Sequence, residues 1–194
     1  LFLALAAPAY ASDLTDAQAA MESGNIDDAR DLFLKARKDD ADAAQAWRGL
    51  AQLGAKGDPK AISALQAGKT TALGQAALGW LAYYKATTGA TIDRTLAAEA
   101  DNWFHNALDQ QPDLPLALLG MGALLQAQGD LAAGLTTLLK IKGAPWTSKE
   151  VAEGRRRWFD AYEAAFLGEP GANAFLLENL PTPYDGAFRK QLDE

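Results

Sequence analysis

Residues 22–47, ESGNIDDARDLFLKARKDDADAAQAW, combine a Gly-Asn pair with small and large apolar residues at helical spacing. After Gly24, the apolar residues Ala29, Phe33 and Ala36 follow at steps of four and three. Such steps place side chains on one face of an α-helix. The stretch therefore predicts a turn at the glycine and, after it, a helix that buries this face against a neighbour.

The same spacing returns later in the chain. Gly129 is followed by Gly134, Leu138 and Ile141 at the offsets seen after Gly24, and the two glycines lie 105 residues apart. Residues at matching positions in neighbouring segments are Trp47, Leu50, Ala51, Ala100, Phe104, Ala107, Leu108, Pro112, Leu118, Met121, Gly122 and Leu125. A fixed spacing with drifting identities is typical of repeated helix pairs that pack on one another.

This pattern resembles the tetratricopeptide repeat, a unit of about 34 residues with two antiparallel helices. In that family a Gly-Asp or Gly-Asn turn joins a helix with a large, apolar-small, large pattern to one with a small-large-small pattern. The resemblance covers residues 17–51 and 100–142. It implies an all-α fold, a right-handed α–α superhelix of three to four degenerate helix-turn-helix repeats, in an exported bacterial member of the family.

Two segments depart from the family pattern. Ala61 follows Gly57 by only four residues, which predicts a short second helix there. The segment TTGATIDRTLAAE, residues 87–99, inserts residues between two helices. Beyond the repeats, residues 147–168 form an amphipathic pattern that predicts one more helix, with Gly168 at its end.

Three regions are predicted along the chain. Residues 1–11, LFLALAAPAYA, have the length and composition of the apolar core of a signal peptide and end in a small-x-small cleavage pattern. Cleavage is predicted after Ala11, with a periplasmic or secreted mature chain; the alternative is a buried N-terminal helix. Residues 12–180 are the predicted helical repeat domain, and 181–194, with two prolines, are predicted to be a loosely packed cap or a free end.

Composition excludes several classes of function. The chain has 194 residues, 49% of them hydrophobic, a formal net charge of −7 and no cysteine. An acidic chain lacks the basic surface that nucleic-acid binding requires. Without cysteine there are no disulfides and no thiolate metal sites. The N-terminal apolar run is too short to span a bilayer, so no transmembrane segment is predicted in the mature chain.

Candidate chemical motifs are weak. Gly68-Lys69-Thr70 matches the end of a phosphate-binding loop, but the residues before it form a helical pattern in place of the required strand. His105 is the only histidine, so neither a metal cluster nor a catalytic triad is predicted.

The acidic residues have a structural interpretation as well. Asp27, Asp28 and Asp31 are expected at the start of a helix because of the helix dipole. The sequence therefore predicts a protein that is not an enzyme, with no cofactor, no metal and no nucleotide.

The most suggestive cluster is the stretch LGWLAYYKATTG, residues 78–89. By the resemblance, Trp80, Tyr83 and Tyr84 line the concave surface of the superhelix, where aromatic rings suit a peptide groove. The same register places Arg48, Gln52, Leu119, Ala123 and Gln126 on that surface. The alternative is that the aromatic rings pack under the inserted segment and close the groove.

These features predict a periplasmic adaptor or assembly factor that binds a partner protein or peptide in its concave groove. The alternative function is a structural subunit, permanently bound in a larger cell-envelope complex. The two differ in behaviour, because a permanent subunit exposes a large apolar patch when isolated.

Overall fold

The computed structural model describes residues 12–141 and, further on, residues 156, 159–160, 162–163, 167–168, 174, 176–178 and 185–193. All regular secondary structure in these residues is helical, which confirms the all-α prediction. The predicted signal peptide, residues 1–11, lies outside them. The helices of the continuous part are α1 (Asp13–Glu22), α2 (Ile26–Ala36), α3 (Ala43–Ala55), α4 (Pro59–Ala67), α5 (Ala72–Ala86), α6 (Arg94–Gln110), α7 (Pro115–Ala127) and α8 (Leu131–Leu138).

The helices pack as consecutive pairs, and each pair contacts the next. The pairs are α1 with α2, α3 with α4, α5 with α6, and α7 with α8. The odd-numbered helices form a continuous row, since α3 contacts both α1 and α5, and α5 contacts α7. Each odd-numbered helix from α3 onward also packs against the even-numbered helix before it. The side chains on the row α3, α5 and α7 are therefore brought together from distant parts of the sequence.

Three of the four pairs share one type of turn. The central glycines are Gly24, Gly57 and Gly129, with φ of 81°, 98° and 89°. In each turn the N–H of the next residue donates to the carbonyl five residues earlier, at 2.9 Å for Asn25, 3.1 Å for Asp58 and 2.9 Å for Asp130. This left-handed conformation strongly favours glycine and ends the preceding helix. The fourth pair, α5 and α6, is joined by residues 87–93, within the predicted insertion.

Two buried phenylalanines occupy equivalent places in the stack. Phe33 of α2 lies against Gly49 of α3, and Phe104 of α6 lies against Gly120 of α7. In both cases the glycine follows the phenylalanine by 16 residues, and a Cβ added to it would overlap the ring. Phe104 also lies against Gly79 of α5, where an added Cβ would be 2.6 Å from the ring. Glycine is therefore required here for close approach of neighbouring helices.

Most of the residues that the sequence pattern placed on packing faces are buried, whereas Leu108 is half-buried and Pro112, just after α6, is exposed. The buried residues are Ala29, Phe33, Ala36, Leu50, Ala51, Ala100, Phe104, Ala107, Leu118, Met121, Gly122, Gly134, Leu138 and Ile141. Trp47 is 9% exposed, and Leu125 is half-buried at the end of α7. The periodicity of small and large apolar residues therefore predicted the core faces of the helices correctly.

A buried arginine connects the first two helix pairs. Arg30 of α2 is 5% exposed, and its Nη1 donates to Asp27 at 2.7 Å and to Asp58 at 3.1 Å, while its Nε donates to Asp31 at 3.1 Å. Asp58 is also the N-cap of α4, where it accepts from the N–H of Ala61 at 2.7 Å. The acids at the start of α2 thus do more than complement the helix dipole, because two of them neutralise Arg30.

This cluster shifts both partners toward their charged forms. The hydrogen bond to Asp27 raises the pKa of Arg30, and it outweighs the effect of burial, which lowers it. For Asp58, burial is the largest influence and raises the pKa, but the N–H of Ala61 and the guanidinium of Arg30 together hold it below its ordinary value of 3.8. The salt bridge between Arg30 and Asp58 is therefore ionised throughout the neutral range.

Acid is expected to weaken this connection. A carboxyl whose pKa is lower in the folded chain stabilises the fold above its unfolded pKa, and that contribution is lost as the pH falls through the folded pKa. We expect the free energy of unfolding to fall below about pH 4, and Asp58→Asn, which keeps the capping oxygen, to reduce the fall. Urea unfolding of the unmodified protein and of Asp58→Asn, each at neutral pH and at about pH 3, measures the fall in each protein. An equal fall in the two proteins would contradict this role for Asp58.

The C-terminal part forms a second apolar cluster. Phe159, Leu176 and Phe188 are buried together, and Tyr162 contacts both this cluster and the main core. Phe188 belongs to a helix at Ala187–Asp193. Residues 181–194, predicted to be a loosely packed cap or a free end, therefore contain a helix whose ring at Phe188 is buried. Gly168 has a φ of 92°, in keeping with the predicted helix end.

Among the helices of the described residues, none combines the length and the apolar character that crossing a bilayer requires.

Candidate functional site

The three aromatic residues singled out in α5 form one ring cluster. The ring centroids of Trp80 and Tyr83 are 5.4 Å apart in an edge-on arrangement, and those of Trp80 and Tyr84 are 5.3 Å apart. The rings of Tyr83 and Tyr84 are 5.7 Å apart. The helical spacing explains the cluster, because residues three and four positions apart lie on the same face.

Two predicted partner-binding residues lie in the interior. Trp80 is 4% exposed, its indole N–H donates to the carbonyl of Leu116 at 3.0 Å, and its ring meets Phe104 edge-on at 6.0 Å. Leu119 of α7 is 6% exposed. Both residues are covered because α7 packs directly on α5 and α6. In this structure they hold helices together and offer little surface to a partner.

Arg48, Gln52 and Tyr84 meet in a polar network between α3 and α5. The Nε of Arg48 donates to the hydroxyl of Tyr84 at 2.9 Å, and the Nε2 of Gln52 donates to the same oxygen at 3.1 Å. The guanidinium of Arg48 also lies 4.4 Å from the centroid of the Trp80 ring. All three polar side chains are half-buried. The network therefore fixes a cation at the surface of the helix row.

An open pocket adjoins Tyr83. Its volume is about 540 Å³, and its lining residues are Tyr83, Ala123, Gln126, Ala127 and Asp160. The contact between the rings of Tyr83 and Tyr84 connects the pocket to the polar network. We call the combined surface the aromatic face; its residues are Arg48, Gln52, Tyr83, Tyr84, Ala123 and Gln126.

Two residues at the pocket were missed by the sequence interpretation. Ala127 is the last residue of α7 and follows Gln126 directly. Its place at the pocket can be recognised only once the packing of α7 is known. Asp160 belongs to the C-terminal part of the chain, which the sequence pattern treated as a separate helix. No spacing in the sequence connects Asp160 to Tyr83, since the two lie 77 residues apart.

The weak chemical motifs have structural roles. Gly68 ends α4, so a helix leads into the Gly-Lys-Thr sequence where a phosphate-binding loop has a strand. Thr71 caps α5 by accepting from the N–H of Gly74. His105 is exposed, with its Nδ1 3.0 Å from the carbonyl oxygen of Asp101. Within the described residues, no group of three or more histidine, aspartate or glutamate side chains is placed to hold a metal ion.

The described part of the chain is thus an all-α protein of stacked helix pairs with an aromatic face. Comparison of the chain with protein-family models, with curated proteins and with solved structures found no significant match.

Proposed function

We propose that this protein is a non-enzymatic, tetratricopeptide-like adaptor or assembly factor of the bacterial cell envelope. Its helix pairs form three to four repeats of a right-handed superhelix, and the aromatic face on the inner row of helices binds a partner protein or peptide. The signal-peptide-like residues 1–11 support a periplasmic or secreted location. The observation that carries the proposal is the open pocket beside Tyr83.

The pocket has the features of a side-chain binding site. A volume of about 540 Å³ accommodates one or two side chains of a partner. Tyr83 supplies a rigid, half-buried ring at one wall, which costs little conformational entropy on binding. Ala123 and Ala127 are small residues of the lining, while Gln126 and Asp160 supply polar groups for hydrogen bonds. The setting favours an apolar anchor with polar contacts around it.

Filling the pocket is expected to abolish partner binding. Ala123 is half-buried and lines the pocket, so Ala123→Arg places a long charged side chain where the partner's anchor would sit. The measurement is affinity capture from envelope extract with immobilised protein, and then the affinity of the captured partner for each variant. Loss of at least about 100-fold in affinity is expected, the size of effect seen at interface hot spots.

The matched control is Ala98→Arg. Ala98 is an exposed residue of α6, an even-numbered helix, and receives the same side chain outside the aromatic face. It is expected to bind the partner as the unmodified protein does, and both variants are expected to keep the far-UV helical signal. Equal binding by Ala123→Arg and the unmodified protein would contradict the proposed function.

A permanently bound structural subunit is the second candidate. The observation that favours it is Leu177, which is 58% exposed next to the buried Leu176 of the C-terminal cluster. A chain that is permanently bound in a complex buries apolar residues there, so the isolated chain is expected to self-associate. A monodisperse monomer in light scattering, at the same concentration as the binding assays, would contradict this second candidate.

A further inference from the structure

One wall of the pocket belongs to a different packing unit from the rest. Most of the lining residues lie in α5 and α7, whereas Asp160 comes from the C-terminal part of the chain. Its neighbour Phe159 is fully buried in the second apolar cluster, together with Leu176 and Phe188. The pocket therefore lies at the boundary between the stack of helix pairs and the C-terminal part.

The connection between these two units is small. Among the described residues, Tyr162 is the one apolar side chain that packs against both clusters, and it is half-buried. The main core runs through all eight helices of the stack, whereas the second cluster has three buried side chains within the described residues. Regions with few buried apolar contacts open at a lower free energy than the core of a fold. The C-terminal part is therefore expected to undock while the helix pairs stay folded.

We propose that docking of the C-terminal part completes the pocket, and that a bound partner holds this part in place. The docked form puts Asp160 in the same lining as Tyr83, Ala123 and Gln126. Undocking removes that wall and leaves the surfaces of α5 and α7. A partner that contacts both units binds the docked form more tightly, and by linkage it stabilises docking to the same extent. This inference rests on the proposed function and adds a conformational step to it.

Amide hydrogen exchange of the full chain measures undocking without any ligand. The helix Ala187–Asp193 reports on the C-terminal part, because its Phe188 is buried in the second apolar cluster. After correction for intrinsic rates, its amides are expected to exchange at least about 10-fold faster than those of α5 and α7. Equal protection of this helix and of α5 would show that both open in one global step, and it would overturn the inference.

Tyr162→Ala is expected to favour the undocked form. Exchange of Ala187–Asp193 should rise by about 10-fold, since the contact between the two clusters is lost, while exchange of α5 stays the same. The matched control is Trp103→Ala, because Trp103 is a half-buried aromatic residue of α6 that does not line the pocket. It is expected to leave exchange of Ala187–Asp193 unchanged. No acceleration by Tyr162→Ala would exclude the proposed docking contact.

A like charge placed in the pocket tests whether the pocket and docking are coupled. Ala123→Asp adds a second carboxylate to the lining that contains Asp160. Repulsion is expected to speed exchange of Ala187–Asp193 by about 2- to 5-fold at low salt, and Asp160→Asn in the same chain should remove this acceleration. Ala98→Asp, at an exposed position of α6, is the control without effect. An acceleration that survives Asp160→Asn, or none at all, would contradict the coupling.

A bound peptide is expected to produce the reciprocal effect. The probe is a peptide selected on the full chain from a random library with acetylated and amidated ends. At ten times its Kd it should slow exchange of Ala187–Asp193 by about 10-fold, while α1, at the other end of the helix row, exchanges as before. Unchanged exchange of Ala187–Asp193 in the complex would overturn the inference. Failure to select any peptide would count against the proposed function, and the Tyr162 and Ala123 variants would still decide the docking step.

Discussion

Replacing Phe104 by alanine is expected to lower the free energy of unfolding by about 4 kcal/mol. The ring is fully buried and lies against Gly79 of α5 and Gly120 of α7, so three helices lose packing at once. The two glycines have no side chains that could move into the cavity, so much of it is expected to remain. Urea or thermal unfolding followed by far-UV circular dichroism measures the loss.

The adjacent residue provides the control for this prediction. Trp103 is half-buried on the same helix. Trp103→Ala is expected to lower the free energy of unfolding by only about 1 kcal/mol, because a half-buried ring removes less apolar surface from water on folding. A loss below about 1 kcal/mol for Phe104→Ala would mean that the site collapses or that the ring is less tightly held.

Conversely, Gly120→Ala is expected to destabilise by about 1–3 kcal/mol through overpacking against Phe104.

Replacing Arg30 by methionine is expected to cost about 3 kcal/mol, the second large effect. The side chains of Arg30 and Asp58 are 6% and 7% exposed, so removing the arginine leaves a buried carboxylate without its counter-charge. Methionine retains much of the apolar stem, and the cost then comes mainly from electrostatics. Denaturant unfolding at neutral pH gives the value.

A double variant separates the charge effect from the packing effect. Asp58→Asn keeps the oxygen that caps α4 and removes the charge, so Arg30→Met with Asp58→Asn is expected to be more stable than Arg30→Met alone. If the loss in the double variant equalled the sum of the losses in the two single variants, the two residues would not be a coupled pair. Asp28→Asn is the matched control. Asp28 is an exposed acid of α2, the helix that carries Arg30, and it forms no salt bridge within the described residues.

Both effects bear on the aromatic face. Phe104 holds α5 against α7, and these helices carry Tyr83 and Gln126 on the two walls of the pocket. Arg30 ties the first pair of helices to the second, which carries Arg48 and Gln52. Variants at these buried positions are therefore expected to change partner affinity indirectly, through misplacement of the helices.

The local features of this chain follow from its sequence alone. Small and large apolar residues at steps of three and four predict helices with one buried face, and Ala29, Phe33 and Ala36 are buried as expected. Glycine at Gly24 and Gly129 predicts the turns, because the left-handed conformation there excludes most other residues. These properties depend on the geometry of a few neighbouring residues, which is why they can be predicted without knowledge of the tertiary structure.

The division of the aromatic residues between core and surface depends on the tertiary structure. The helical pattern places Trp80, Tyr83 and Tyr84 on one face, but the packing of α7 buries Trp80 at 4% exposure and leaves both tyrosines half-buried. No periodicity in α5 distinguishes them. The choice is made by the helix that packs above, and that helix comes more than thirty residues later.

The ion pair, the polar network and the pocket likewise required the fold. Arg30 meets Asp58 across 28 residues, Arg48 meets Tyr84 across 36, and Asp160 reaches the wall formed by Tyr83 across 77. Sequence determined the helices, their turns and their buried faces, because these are local properties of the backbone. Only the packing of one pair on the next decided which polar side chains meet, because such contacts depend on the relative positions of helices distant in sequence.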